Sequence, residues 1–113
     1  MKKKLEIFVV NVNDSIHTAM LKITVNKYRT VVVLDGKKVV GTVSDGDIRR
    51  AFLKNILPMA PVGKIMNINC VVTRETEPDK LAEIVSREKV TVLPIVSKQN
   101  ELKDAFFAYE PFY

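Results

Sequence analysis

The sequence predicts a mixed α/β (α+β) fold made of two tandem βαββα units packed as a pseudo-two-fold pair. Three observations predict it. Short β-branched runs alternate with segments of helical period. The order of those elements occurs twice. A shift of the chain against itself by 62 residues lays apolar positions on apolar positions: Ala19 on Leu81, Ile23 on Val85, Val33 on Ile95 and Leu34 on Val96. With one residue added in the second hairpin, Val39 falls on Leu102 and Val43 on Phe106. Residues 1–60 are assigned to the first repeat and 61–113 to the second, which is truncated and degenerate at its C-terminal end. Each unit alone is too small to bury its sheet, so two packed face to face share a core and leave clefts between them.

The elements follow in order. Residues 5–12 are an apolar, β-prone run and predict a strand. Asp14 or Ser15 supplies an N-cap, and Ile16, Ala19, Met20, Ile23 and Lys27 fall on one face of a helix. The β-branched run 30–34 reads as a buried strand. Asp35-Gly36 is a hairpin turn, and 39–43 the return strand. Asp45 or Asp47 then caps a short helix through Ile48, Ala51, Phe52 and Leu53. Pro58 and Pro61 mark the connection to the second half. There, 62–66 predicts a short turn or helix and 70–73 a strand. Pro78 opens a helix carrying Leu81, Ile84, Val85 and Glu88, and strands follow at 92–96 and 102–107.

Composition narrows the function. Apolar residues make up 47% of the 113, and 27% are charged, a globular balance. The net charge of +5, part of it in Lys2-Lys3-Lys4, favours anionic partners such as nucleotides, nucleic acid or acidic membranes; it suits a plain solvated surface equally. No aromatic-basic pattern points to nucleic acid. Cys70 is the only cysteine and lies in an apolar run, so it predicts a buried small hydrophobe and a reducing compartment. No apolar run is long enough for a signal peptide or a membrane span, which predicts a cytoplasmic protein.

Catalytic constellations are scarce. His17 is the lone histidine, on the polar side of the first helix, and no second His or Cys pairs with Cys70 or His17 to hold a metal. No phosphate-loop, dinucleotide or nucleophile-elbow motif occurs. Asp45 and Asp47, two apart at a helix start, point in different directions and make a poor acid–base pair. One stretch carries a binding signal: residues 41–50, Gly-Thr-Val-Ser-Asp-Gly-Asp-Ile-Arg-Arg, run from a strand into a helix. Gly41 admits close approach of another group, and Ser44 offers a hydroxyl. The Asp47 carboxylate can accept two hydrogen bonds from a vicinal diol such as a ribose. The helix start offers free N–H groups to a phosphate. The same residues equally make a plain helix cap, with Ser44 or Asp45 as N-cap and Asp47 as first-turn acid. On the residues alone both readings stand.

Gly41-Thr42-Val43-Ser44-x-x-Asp47 closely resembles the G-h-h-[ST]-x-x-D signature of cystathionine-β-synthase (CBS) domains. Residues 65–73 resemble that family's linker, with Cys70 in place of a proline, and 92–96 resemble its R-L-P-V-V strand. The resemblance spans nearly the whole chain as a tandem pair, the Bateman module. Residues 41–51 with Ile65-Met66-Asn67 are most similar to pairs attached to sugar-phosphate nucleotidyltransferases. It implies a regulatory, non-catalytic module that needs no cofactor, binds an adenosyl ligand such as AMP, ADP or ATP between its repeats, forms a homodimer and controls an attached or partner enzyme. A ligand-free dimerisation scaffold and a nucleic-acid or polyanion binder are the alternatives.

Carried over by position, the resemblance implies a hydroxyl or phosphate contact at Ser44, ribose at Asp47 and a base flanked by Val43. Backbone groups of Asn69 and Cys70 would meet the adenine edge, and Thr91 and Val92 would close the cleft. Two departures matter. Neither Thr91 nor Val92 is the basic residue that often holds phosphate in this family; Arg49 and Arg50 are the candidates to replace it. In the second repeat Gly41, Ser44 and Asp47 become Asp104, Phe107 and Glu110, so a ring should fill the second cleft. Phe52, Leu53, Ile56 and Leu57 are expected on an exposed apolar patch suited to a homodimer.

Overall fold

The structure, a computed structural model, describes residues 5–109. The Lys2-Lys3-Lys4 run and Glu110 lie outside the described residues. Strand β1 (Val9–Asn11) lies parallel to β2 (Thr30–Asp35), which pairs antiparallel with β3 (Lys38–Ser44). A second sheet holds β4 (Val92–Val96) and β5 (Leu102–Phe107), also antiparallel. Helix α1 (Ile16–Asn26) links β1 to β2, α2 (Asp45–Leu53) follows β3, and α3 (Pro78–Glu88) precedes β4.

The helix and hairpin expected in each repeat are present in both halves, down to the irregularities of their ladders. Thr30 opposes Ser44 in the first hairpin, and Val92 opposes Phe107 in the second. The first ladder slips between Val33 and Leu34, the second between Ile95 and Val96, which are the matching positions. Helices α1 and α3 both end in a left-handed lysine, Lys27 (φ 63°) and Lys89 (φ 57°).

Strand alternation divides the core. Val31 and Val33 face α1, packing with Ile16, Ala19, Ile23 and Ile48. Leu93 and Ile95 face α3, packing with Leu81 and Val85. Between these two groups lies a shared core that draws on both halves of the chain, including Phe8, Tyr28, Val32, Val39, Val92 and Val96. Thus the two sheets meet face to face, as the apolar pattern predicted.

Four expectations need correction. Residues 5–8 form a 3-10 turn, not the start of a strand. Their carbonyls find side-chain donors: Lys22 Nζ bonds the carbonyls of Glu6 (2.9 Å) and Val9 (2.7 Å), and the buried Asn26 Nδ2 bonds that of Ile7 (2.9 Å). The expected strand at 70–73 shrinks to one bridge, Thr73 with Ile95. Thr73 N donates to Pro94 O (3.0 Å) and Val96 N to Thr73 O (2.8 Å). The next rung of a parallel ladder needs an N–H from residue 94, and Pro94 has none. The matching residue of the first repeat is Val32, which does pair with β1. On α1, Met20 turns outward, and Asn26 takes the inward position while Lys27 caps the helix. Ile56 is half-buried against the first core instead of joining an exposed patch.

Candidate functional site

Helix α2 starts where β3 ends, and its first turn is locked by a capping box. Ser44 Oγ accepts from Asp47 N (3.2 Å), while Asp47 Oδ2 accepts from Ser44 N (2.9 Å) and Ser44 Oγ (3.0 Å). Arg50 Nη2 donates to the other oxygen, Asp47 Oδ1, at 2.8 Å. An ionised carboxylate accepts about four hydrogen bonds, so one lone pair, on Oδ1, is left for a ligand. The cap and the ribose acceptor are therefore compatible, with the cap aiming the carboxylate.

The backbone N–H groups expected to await a phosphate are partly used. Asp45 N donates to Arg29 O (3.0 Å), and Asp47 N is held by Ser44. Gly41 does admit a close neighbour, but the neighbour is the chain itself. A Cβ there would lie 2.9 Å from Asn67 O and 2.9 Å from Met66 Sδ. Thr42 and Asn67 exchange backbone hydrogen bonds of 3.2 and 2.8 Å across that contact, which fastens the linker to β3.

This linker brings the second half against the first around a cleft of about 600 Å³. Ser44, Asp47, Asn69, Cys70, Thr91 and Val92 all line it. Asn69 N is turned onto Asn67 Oδ1 (3.0 Å), and Thr91 Oγ1 donates to Tyr28 O (2.7 Å), tying the two halves together. Cys70 is half-buried, less covered than expected, because it stands on the cleft wall. Burial still pushes its thiol pKa up; a weaker backbone hydrogen bond pulls the other way.

Val43 does not line the cleft. Its side chain is fully buried in the first core, because neighbours on a strand alternate and Thr42 and Ser44 take the cleft side. The cleft holds cations that the sequence search missed. Arg29 and Lys89 line it, together with the expected Arg49 and Arg50. Arg29 and Thr91 occupy matching positions in the two repeats, so the segment after each helix was the signal to follow. Both Arg29 (φ 64°) and Lys89 (φ 57°) are set by left-handed backbone.

The counterpart of Ser44 is Phe107, and its ring is packed. Phe107 lies 4.6 Å from Phe8 and 5.0 Å from Tyr28 between ring centroids, and Tyr109 stacks on Tyr28 at 4.6 Å. Aromatic rings thus gather where the second repeat lost its hydroxyl. Among the described residues no group of three or more His, Cys, Asp or Glu could hold a metal ion. No helix among them is long and apolar enough to cross a membrane.

The model of the CBS domain matches residues 1–54. No curated protein sequence matches the chain. Similar solved structures include protein MJ1225 of Methanocaldococcus jannaschii, with 26% identity and a TM-score of 0.73, covering 95% of this chain and 44% of that one. A CBS domain protein of Pyrobaculum aerophilum, complexed with AMP, shares 20% identity over 94% of this chain and 87% of its own, with a TM-score of 0.71. The CBS domain pair of protein MJ0100, complexed with 5′-methylthioadenosine and S-adenosyl-L-methionine, shares 19% identity over 89% of this chain and 84% of its own, with a TM-score of 0.69. Residues 1–54 are thus matched as a CBS domain, and the chain as a whole has the fold of CBS-domain proteins.

Proposed function

We propose that the chain is a regulatory module, with residues 1–60 and 61–113 as its repeats, that binds an adenosine-type nucleotide in the cleft between them. The observation that carries this reading is the convergence of Ser44 and Asp47 from the first half with Asn69, Cys70, Thr91 and Val92 from the second on one cleft. Asp47 offers the ribose acceptor, Ser44 a hydroxyl, and the 69–70 backbone an edge for the base. The AMP and S-adenosylmethionine complexes of the similar CBS proteins support the same ligand class.

The output of such a module is control of an attached or partner enzyme. The likeness of residues 41–51 to modules on sugar-phosphate nucleotidyltransferases makes that catalytic domain the first partner to test. A homodimer belongs to this reading: Leu53 (78% exposed), Leu57 (71%) and Met59 (74%) leave apolar surface in water next to Phe52. Sedimentation at tens of micromolar should give a dimer, and a monomer would remove that part. The lone cysteine and absence of an apolar span fit a cytoplasmic setting.

A thermal-shift panel of AMP, ADP, ATP, 5′-methylthioadenosine and S-adenosylmethionine, with guanine nucleotides as controls, tests the function. A ligand at a hundred times its Kd stabilises the fold by about 2.7 kcal/mol, about ten degrees in Tm for a domain of this size. No shift with any adenosyl compound would leave a ligand-free dimerisation scaffold as the function.

A further inference from the structure

We propose that Arg50 gates the ribose acceptor of the cleft. Its guanidinium sits on the Asp47 oxygen that a vicinal diol needs, so the empty site holds its own competitor. Arg50 thereby sets how strongly a ribonucleoside is preferred over its 2′-deoxy counterpart. This rests on the cleft being the nucleotide site with Asp47 as its ribose acceptor, and adds what regulates access to that acceptor.

The acceptor positions of the carboxylate decide it. Oδ2 is filled by Ser44 N (2.9 Å) and Ser44 Oγ (3.0 Å), and Oδ1 holds Arg50 Nη2 (2.8 Å). With about four positions on a carboxylate, one is left open. A ribose diol laid on Asp47 donates two hydrogen bonds, so one partner has to leave. The bonds at Oδ2 belong to the capping box, and losing them would open the start of α2. Arg50 is the partner that can go, because it is 61% exposed against 18% for Asp47 and its guanidinium is hydrated as soon as it is released. A 2′-deoxyribose brings a single ring hydroxyl, which fits the open position with Arg50 in place.

The local geometry puts the guanidinium there. Arg50 follows Asp47 by three residues on α2, acid before base, the favoured order for a helix-surface pair. Gly46 clears its path: a Cβ at that position would lie 3.1 Å from Arg50 Nη1 and 3.3 Å from Nη2. The guanidinium thus lies back across the first turn of α2, and Gly46, Asp47 and Arg50 all line the cleft. Asp47 and Arg50 also line a second cavity of about 210 Å³, where Lys54 and Lys64 already stand. That side offers Arg50 like charges in place of a new partner, so its release is into water and costs the ion pair itself.

Calorimetric titration of the full chain and of Arg50→Met with adenosine and 2′-deoxyadenosine tests this; both probes are uncharged, so the other cations of the cleft do not enter. Adenosine should bind about two- to fivefold more tightly to Arg50→Met, the range set by a largely exposed ion pair, while 2′-deoxyadenosine stays the same. The ratio of the two affinities therefore rises by that factor, and a general loosening of the fold would not move it. A second measurement needs no variant. Salt screens the Asp47–Arg50 pair, so adenosine affinity in the unaltered chain should rise with ionic strength and stay flat in Arg50→Met. Lys98→Met, on the turn between β4 and β5, should leave both the ratio and the salt response as they are. A ratio unchanged or lowered in Arg50→Met, or an adenosine affinity in the unaltered chain that does not rise with salt, would overturn the gate while leaving the adenosyl site standing. Failure of adenosine to bind either protein would overturn the adenosyl site and the gate together.

Discussion

Asp47 and Arg50 form a helix-surface ion pair, Oδ1 to Nη2 at 2.8 Å, on the same carboxylate whose other oxygen closes the capping box with Ser44. The two oxygens thus have separate duties. Oδ2 is committed to the start of α2, and Oδ1 holds only the Arg50 guanidinium. The pair with Arg50 is largely solvent-facing on the arginine side, where such pairs contribute at most about 1 kcal/mol, so a ligand can displace it.

Separate duties predict separable variants. Asp47→Ala removes the capping box and should cost about 1 kcal/mol of stability, read by urea denaturation. It should also weaken nucleotide binding at least about tenfold, since each charge-assisted bond lost is worth about 1.5–3 kcal/mol. Asp47→Asn keeps an oxygen for the Ser44 amide and should recover most of the stability while binding stays weak. Normal binding by either protein would reduce Asp47 to a cap alone.

Gly41 predicts a purely steric effect. Gly41→Ala places a Cβ 2.9 Å from a backbone oxygen of Asn67, so the linker must move and the Thr42–Asn67 pair must loosen. The expected cost is about 1–3 kcal/mol, typical of overpacking. Because the linker carries Asn69 and Cys70 into the cleft, nucleotide affinity should fall with it. A variant as stable as the parent protein would show that the linker is not fastened at this point.

The hairpins, the helices and the offset of 62 were legible because each rests on local pattern: β-branched runs, turn residues and helical spacing. What was not legible depends on partners distant in sequence. Residues 5–8 look β-prone, yet Lys22 and Asn26 supply the donors that a neighbouring strand would have given. Residues 70–73 look β-prone too, yet Pro94, two dozen positions on, removes a rung. The site followed the same division. Ser44 and Asp47 sit in one motif and could be read, whereas Arg29 and Lys89 reach the cleft only through the packing of the two repeats. Val43 was misplaced because a motif names positions, while the alternation of the strand decides which of them face outward.

Cys70 predicts a pH dependence with a definite sign. Burial raises its thiol pKa in the folded chain, so folding favours the protonated form. The stability this contributes is complete below the ordinary thiol pKa and is lost as pH rises through the raised one. Near neutral pH, labelling by a thiol reagent should be at least about tenfold slower than in urea. Since Cys70 lines the cleft, saturating AMP should slow it further. Labelling at the urea rate would mean the cleft wall is open to solvent at this residue.

The last prediction concerns stoichiometry. The position matching Ser44 is held by Phe107, whose ring packs on Phe8 and Tyr28 at 4.6 and 5.0 Å. These three side chains also belong to the core shared by the two sheets, so opening a second site there would mean unpacking the joint between the repeats. One nucleotide per chain is therefore expected by calorimetry. Phe107→Ala should destabilise the fold by about 2–3 kcal/mol, somewhat below the about 3–5 kcal/mol of a fully buried ring, because Phe107 is only partly buried. It should not create a second binding event, since the space it leaves is apolar and offers neither the hydroxyl of Ser44 nor its capping partner. A titration reaching two nucleotides per chain, in the parent protein or in Phe107→Ala, would show that the aromatic cluster yields to a ligand and that the second cleft is a working site.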